Sequence, residues 1–136
     1  LSATISAMSS RPEADYKLYG SDMSPETAQS ILHGDVTALN GGQWIAGSLA
    51  AALLINRLDG HAILDETGQA PLFDNMNLVM LTKDNAQGFI NLMAEGGLLT
   101  EAEFDALLYR NNPNVDYQSF YDFVGNVDEL ISERIS

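Results

Sequence analysis

The residues best suited to bind a small molecule stand just after the second predicted strand. This segment reads Asn40-Gly41-Gly42-Gln43-Trp44, with two amides, two glycines and the chain's only tryptophan. Amides can pair with hydroxyl groups, glycines let backbone approach a ligand or turn at a hinge, and an indole face suits the apolar face of a sugar ring. The alternative interpretation, in which Trp44 is a core residue at a helix start, stays open.

A second candidate, Asp22, stands between the first predicted strand and the next helix. Its carboxylate can accept hydrogen bonds from ligand hydroxyls, since ligands of open α/β sheets bind beyond the carboxyl ends of the strands. A solvated loop acid or an extra helix cap is the competing interpretation. The same rule places Lys83-Asp84-Asn85, after the third predicted strand, at the same edge of the sheet.

No group of residues predicts catalysis or metal binding. The chain has no cysteine, and its two histidines, His33 and His61, have no second histidine or acidic cluster close in sequence. No Ser-His-Asp set, phosphate-binding loop or dinucleotide-binding turn is present. We therefore expect a protein that is not an enzyme and that holds no metal and no cofactor.

Alternating strands and helices are predicted to position these residues. Strands are expected at 16–20, 35–39 and 77–82, and helices at the start of the chain and at 24–33, 44–58, 84–95, 100–110 and 116–133. Ser24, Pro25 and Gly34 mark the ends of one helix, and Thr100 with Glu103 forms a capping-box pattern. This order predicts an α/β fold with a largely parallel sheet covered by helices on both faces.

The chain is predicted to have two parts. Residues 1–83 form the ligand-binding α/β module, and residues 84–136 form a helical C-terminal extension packed on it. The aromatic residues Tyr117, Phe120 and Phe123 have a spacing typical of side chains that pack onto the body of a domain, with a binding face as the alternative.

The helix predicted at 44–58 is apolar on nearly every side, so it is expected to be buried all round. The rest of the chain barely provides enough protein to bury it. Together with the uncapped helical start at Leu1, this predicts a fragment that lacks a partner surface, either a missing N-terminal half or another subunit.

Length and charge narrow the class of partner. The 136 residues suit a single domain, and 19 acidic against 6 basic residues give a net charge of −13. Phosphate binding depends on lysine and arginine, so a nucleic-acid partner is not expected. No stretch approaches the roughly 20 apolar residues that a membrane span needs.

Several short motifs follow one another in an order that resembles a known family. They are Gly20-Ser21-Asp22, Ile31 to Gly34, Val36 to Ala38, Gly41 to Trp44, Leu58-Asp59-Gly60 and the late stretch NLVMLTKDN at 77–85. Together they resemble the C-terminal part of type 1 periplasmic binding proteins, the sugar and autoinducer-2 receptors of ABC transport systems. The resemblance covers about residues 1 to 124.

The resemblance implies an incomplete three-layer α/β/α lobe of a receptor that closes two lobes on a sugar or sugar-like ligand. It implies that Asp22 corresponds to the family's sugar-binding aspartate. It also implies that a ligand-proximal crossover falls near Asn40 to Gln43, where Gly41 and Gly42 stand at places that carry a side-chain ligand in other members. A periplasmic location, a membrane permease or sensor as partner, and an absent N-terminal lobe follow from it.

Two alternatives remain at this stage. The effector-binding core of a sugar-responsive transcription repressor shares the implied fold. A phospho-receiver domain would use Asp22 as the phosphorylated residue with Lys83 in support, but it needs an acidic pair near a first strand to bind Mg²⁺, and the sequence shows no such strand.

Overall fold

The computed structural model describes residues 1–11 and 13–136 as a mixed α/β structure. The helices are α1 (Ser2–Ser9), α2 (Pro25–His33), α3 (Gln43–Leu58), α4 (Ala86–Ala94), α5 (Glu101–Ala106) and α6 (Tyr117–Ile135). The strands are β1 (Tyr19–Ser21), β2 (Ala38–Gly41) and β3 (Val79–Leu81). Each corresponds to a predicted element, although the strands are shorter and begin later than expected.

Side-chain caps determine where three of the helices begin. The Ser24 hydroxyl accepts from the Thr27 amide at 3.2 Å, and Thr27 Oγ1 accepts from the Ser24 amide at 2.8 Å. The same reciprocal arrangement occurs between Thr100 and Glu103 at the start of α5, as the sequence predicted. Asp116 caps α6 in this way, and Gly34 ends α2 with a left-handed φ of 89°.

The sheet has the order β1-β2-β3, but only its first pair is parallel. Strands β1 and β2 run parallel, with Ser21 opposite Asn40, as expected for a β-α-β unit. Strand β3 is antiparallel to β2, with Val79 opposite Gly41, so the prediction of a largely parallel sheet is wrong for this strand. The physical reason is the segment 59–78, which returns the chain to the end where β2 finishes and so reverses the direction of β3.

Only one face of the sheet is covered by the core. Leu39, Val79 and Leu81 are buried on that face, whereas Tyr19 and Met80 on the other face are 66% and 52% exposed. Parallel sheets bury both faces, so the expectation of a sheet covered on both sides is wrong within the described residues. The described residues therefore do not form the three layers that the resemblance implies.

Helix α3 is buried along one stripe and not all round. The buried positions are Ile45, Leu49, Ala52 and Asn56, while Leu54 and Leu58 are 59% and 76% exposed. The stripe is anchored by Asn56, whose amide nitrogen donates to the Leu107 carbonyl at 2.8 Å and whose Oδ1 accepts from the Tyr109 amide at 2.7 Å. On the outer side, Leu54 borders an open groove together with residues of the segment 62–71.

The core is continuous between the two predicted parts of the chain. Leu39 and Ile45 of the first part share one hydrophobic cluster with Phe89, Phe120 and other residues of the second. Phe123 packs against this cluster, which confirms that the aromatic segment packs onto the body of the protein. In the described part of the chain, none of the helices has the length and apolar character that crossing a membrane requires.

Candidate functional site

A cavity of about 320 Å³ lies beside the carboxyl ends of the two parallel strands. One wall comes from the segments that follow these strands, and the other comes from α4 and the turn after it. The lining residues are Met23, Trp44, Ser48, Phe89, Met93, Leu98 and Leu99. This is where ligands bind in open α/β sheets, and the volume lies within the range of small-molecule sites.

Two residues of α3 that line this cavity, Trp44 and Ser48, carry a polar group without a protein hydrogen-bond partner among the described residues. Trp44 Nε1 is buried and makes no hydrogen bond within the described residues, an arrangement that costs about 1–3 kcal/mol when no ligand or water satisfies the donor. Ser48 follows one helical turn later on the same side of the helix. Its hydroxyl also makes no hydrogen bond in the described part, whereas Ser9 and Ser30 bond back to the carbonyl four residues earlier.

The two glycines before Trp44 serve close packing. Gly41 and Gly42 are buried, so the expectation that they expose backbone to a ligand is not met. A Cβ at Gly41 would stand 2.7 Å from Cγ of Met23, and a Cβ at Gly42 would stand 2.9 Å from Cδ2 of Leu78. Gly41 belongs to β2 and pairs with Val79, so within this chain the segment continues the sheet into α3.

Asp22 lies next to the cavity but does not line it. Its side chain is exposed and makes no hydrogen bond or ion pair within the described residues. Its φ of 70° makes it the one non-glycine residue there with a left-handed backbone. Such a conformation is uncommon outside glycine, but aspartate adopts it more readily than most residues, and here it connects β1 to the start of α2.

The two amides predicted as ligand contacts lie away from the cavity. Asn40 is on the uncovered face of the sheet, where its Oδ1 accepts from the Ser21 hydroxyl at 2.6 Å. Gln43 is exposed, and its Oε1 accepts a hydrogen bond from the backbone amide of Gly42 at 3.0 Å. Its side chain therefore bonds to the neighbouring backbone at the start of α3. Of the six predicted site residues, Trp44 alone lines the cavity.

The segment after β3 lies at the opposite end of the strands from Asp22. Because β3 is antiparallel, Lys83 follows the end of β3 that pairs near the beginning of β2, whereas Asp22 follows the opposite end of the sheet. The expectation that these two segments share one edge is wrong. Asp22 and Lys83 therefore lie at opposite ends of the strands and do not form the pair that a phospho-receiver domain would use.

The two histidines have structural surroundings. His61 stacks on the Tyr109 ring at a centroid distance of 3.9 Å, and its Nε2 lies 3.1 Å from the Val115 carbonyl oxygen. His33 lies in the last turn of α2, with its Nε2 3.5 Å from the amide nitrogen of Gln29. Among the described residues, no three His, Asp or Glu side chains are grouped closely enough to hold a metal ion.

A second cavity, of about 440 Å³, was not predicted from the sequence. It is lined by Asp65, Glu66, Thr67, Leu72, Asp74, Tyr117, Gln118 and Tyr121. Burial, together with the neighbouring Tyr121 and the acidic side chains, raises the pKa of Tyr117. Asp65 Oδ1 is already engaged in its own turn, where it accepts from the amides of Thr67 and Gln69 at 2.8 and 2.9 Å.

Six residues of the first cavity were also missed: Met23 and Ser48, and four from α4 and the turn after it, namely Phe89, Met93, Leu98 and Leu99. The last four are apolar, lie far from Trp44 in sequence and carry no motif of their own. The chain matches no family model, no curated protein and no solved structure.

Proposed function

We propose that this chain is a non-enzymatic binding module for a sugar or sugar-like small molecule. On this proposal it is the C-terminal part of an extracytoplasmic solute receptor of the type 1 periplasmic binding protein kind. The observation that carries the proposal is the cavity at the carboxyl ends of β1 and β2, with Trp44 in its wall. The order of the sequence motifs provides independent support.

The arrangement suits binding better than a reaction. Trp44 lines the cavity with its ring, and Asp22, which precedes the lining residue Met23, has an exposed carboxylate. The cavity lining contains no carboxylate, histidine or lysine that could act as a general acid or base.

The exposed sheet face and the outer side of α3 suit a larger assembly. On this proposal a second lobe or subunit completes the ligand cleft, and a permease or membrane sensor reads its closure. Apolar positions such as Leu54, Leu58 and Met80 are exposed in the chain by itself. Large exposed apolar areas are typical of interaction surfaces.

Titration of the ¹⁵N-labelled chain with monosaccharides tests the proposal. D-glucose, D-galactose and D-ribose are added up to high millimolar concentration, and the amide resonances of Asp22 and Trp44 are followed. We expect at least one sugar to shift both resonances. The affinity should be low, since binding proteins of this kind close two lobes on their ligand.

Asp22→Ala and Asp35→Ala form the matched pair for this test. Both aspartates are exposed, but Asp35 lies before β2, at the other edge of the sheet. We expect Asp22→Ala to abolish the sugar-dependent shifts and Asp35→Ala to leave them unchanged. If none of the sugars shifts either resonance, or if both variants respond like the parent chain, the proposed sugar site is wrong.

A further inference from the structure

The second cavity, which we call the acidic cavity, combines negative charge with aromatic rings. Its walls come from the segment 65–74 and from the first turns of α6, and its volume is about 440 Å³. The charge comes from Asp65, Glu66 and Asp74, and the rings are those of Tyr117 and Tyr121. Within the described residues, no residue lines both this cavity and the first one, so the two are separate places in the fold.

The carboxylates of the acidic cavity have no basic partner in the described part of the chain. The ion pairs found there involve three other carboxylates, none of which lines the cavity. Asp65 keeps its charge, because hydrogen bonds from the Gln69 amide and from Thr67 hold its pKa below the ordinary value. With a net charge of −13, the rest of the chain adds to the attraction for a cation.

The spacing of these carboxylates suits an ion larger than a metal. Across residues 1–11 and 13–136, no three acidic side chains are grouped closely enough to hold a metal ion. The cavity nevertheless has the volume of a small-molecule site. An organic cation fills such a space and can be attracted by carboxylates that are spread around it.

The tyrosine rings provide a second kind of contact for a cation. Tyr117 and Tyr121 are half-buried, and their ring centroids are 5.9 Å apart at an interplanar angle of 38°. Phe73 stacks on Tyr117 at 5.9 Å and so holds that ring in place. Burial raises the pKa of Tyr117, and the charges of Asp74 and Asp65 add to this effect, so these carboxylates lie near the ring. A cation within about 6 Å of a tyrosine centroid is attracted by the negative face of the ring.

The start of α6 opposes a cation only weakly. A helix N-terminus carries a partial positive charge of roughly half a unit. Asp116 offsets it, because its carboxylate caps α6 and accepts from the Ser119 amide at 2.9 Å. The three carboxylates of the cavity therefore determine the sign of the local charge.

We propose that the acidic cavity binds a small organic cation, an alkylammonium ion, with its charge beside the carboxylates and its carbon atoms against the tyrosine rings. Leu72 also lines the cavity and is 79% exposed in the chain by itself, so it offers further apolar surface to such a ligand. This is a second ligand site. It is independent of the sugar proposal, because a different set of residues forms it.

Choline and 3,3-dimethyl-1-butanol test the need for a positive charge, because they have nearly the same shape and a carbon replaces the charged nitrogen. Each is added to the isotope-labelled chain up to high millimolar concentration, and the ring resonances of Tyr117 and Tyr121 are followed. Sodium chloride replaces choline chloride at each step, so the ionic strength stays constant. We expect choline to shift both rings in a saturable way and the neutral alcohol to leave them unchanged. The proposal is overturned if choline produces no saturable shift, or if the alcohol shifts the rings equally.

Glu66→Gln and Glu129→Gln remove the same charge at the cavity and away from it. Both glutamates are exposed, but Glu129 lies further along α6 and does not line the cavity. We expect Glu66→Gln to weaken choline binding about threefold, the size expected for one exposed charge pair, and Glu129→Gln to leave it unchanged. Equal weakening by both would mean that choline responds to the net charge of the chain, and this would contradict the proposed site.

Tyr121→Phe and Tyr121→Leu test the contact with the ring. Phenylalanine keeps an aromatic face, so this variant should bind choline as the parent chain does. Leucine removes the face and should weaken binding about threefold, in the range of an exposed cation–π contact. Equal affinities of the two variants would exclude the ring contact and refute the proposal in this form.

The choline and sugar titrations can fail separately. Choline-dependent shifts at Tyr117 without any sugar response at Asp22 would support this inference and refute the proposed receptor. A sugar response without any effect of choline would do the reverse.

Discussion

Helices α3 and α6 bury stripes of the same spacing but differ in what their outer sides carry. In α6 the buried positions are Phe120, Val124, Val127, Ile131 and Ile135, which repeat the pattern of α3 and extend it by one turn. The outer side of α6 carries polar and acidic residues such as Asp122 and Glu133, whereas that of α3 carries alanines and leucines. The extent of burial therefore depended on how much of the rest of the protein packs against each helix. The high apolar content of α3 led to the wrong prediction that this helix is buried all round.

The largest expected difference between these helices concerns one large side chain from each. Phe120 in α6 is fully buried and Leu58 in α3 is 76% exposed. Phe120→Ala should lower the free energy of unfolding by about 3–5 kcal/mol, because it removes buried apolar surface and leaves a cavity. Leu58→Ala should change it by less than about 0.5 kcal/mol.

Urea denaturation followed by circular dichroism measures both values. A loss larger than about 1 kcal/mol in Leu58→Ala would mean that the outer side of α3 is covered in solution, since exposed positions rarely cost so much. The contrast between the two helices would then fail.

Alanine substitutions at Gly88 and Gly47 are expected to have the next largest effects on the free energy of unfolding, with opposite signs. A Cβ at Gly88 in α4 would collide with the backbone carbonyl of Ile135 at the end of α6, whereas a Cβ at Gly47 in α3 meets nothing within 4 Å. Gly88→Ala should lower the free energy of unfolding by about 1–3 kcal/mol, because backbone must move apart. Gly47→Ala should raise it by about 0.5–1 kcal/mol, since alanine favours the helix.

Thermal melting of the two variants beside the parent chain checks this pair. A Gly88→Ala protein that melts at the parent temperature would show that α4 and α6 do not pack as closely as described. A lower melting temperature for Gly47→Ala would show that another surface meets α3 at this position.

The smallest expected effect is a pH dependence at the end of α6. Burial by itself would raise the pKa of Glu103, but hydrogen bonds from Arg134 and Thr100 outweigh it, and the pKa lies below its ordinary value of 4.5. A lowered pKa in the folded state means that Glu103 stabilises the protein above pH 4.5. This contribution is lost as the pH falls through the folded-state pKa.

Glu103→Gln should therefore show a shallower loss of stability below pH 4.5 than the parent chain. The effect is modest, because the pair is partly exposed and screened by solvent. Glu101→Gln, an exposed position in the same first turn, is the control and should keep the parent pH profile. Identical profiles for the two variants would rule out a contribution from the Glu103–Arg134 pair.

Local chemistry made much of the fold predictable. Ser24 with Pro25 and Thr100 with Glu103 mark helix starts through bonds that span three residues, so their positions were correct. The parallel pairing of β1 and β2 also followed from their separation by a short capped helix. The direction of β3 did not, because the course of the segment 59–78 depends on where it packs.

The candidate site was also predictable only in part. Trp44 was identified from its residue type and from its place after a strand, both of which are sequence properties. Asn40 was assigned to the same site, but strand alternation places it on the uncovered face of the sheet, opposite Leu39 and its buried neighbours. A slip of one position in the expected strand is enough to reverse the face of a side chain.

By itself, the sequence determined the element order, the helix caps, the strongly acidic charge and the choice of Trp44 as a candidate at the end of a strand. These depend on composition or on contacts between near neighbours. Only the tertiary structure decided that β3 reverses, that α3 keeps an apolar side exposed, and that Phe89 and Met93 meet Trp44 around a cavity. Those outcomes depend on contacts between residues distant in sequence, and such contacts form only when the whole chain has packed.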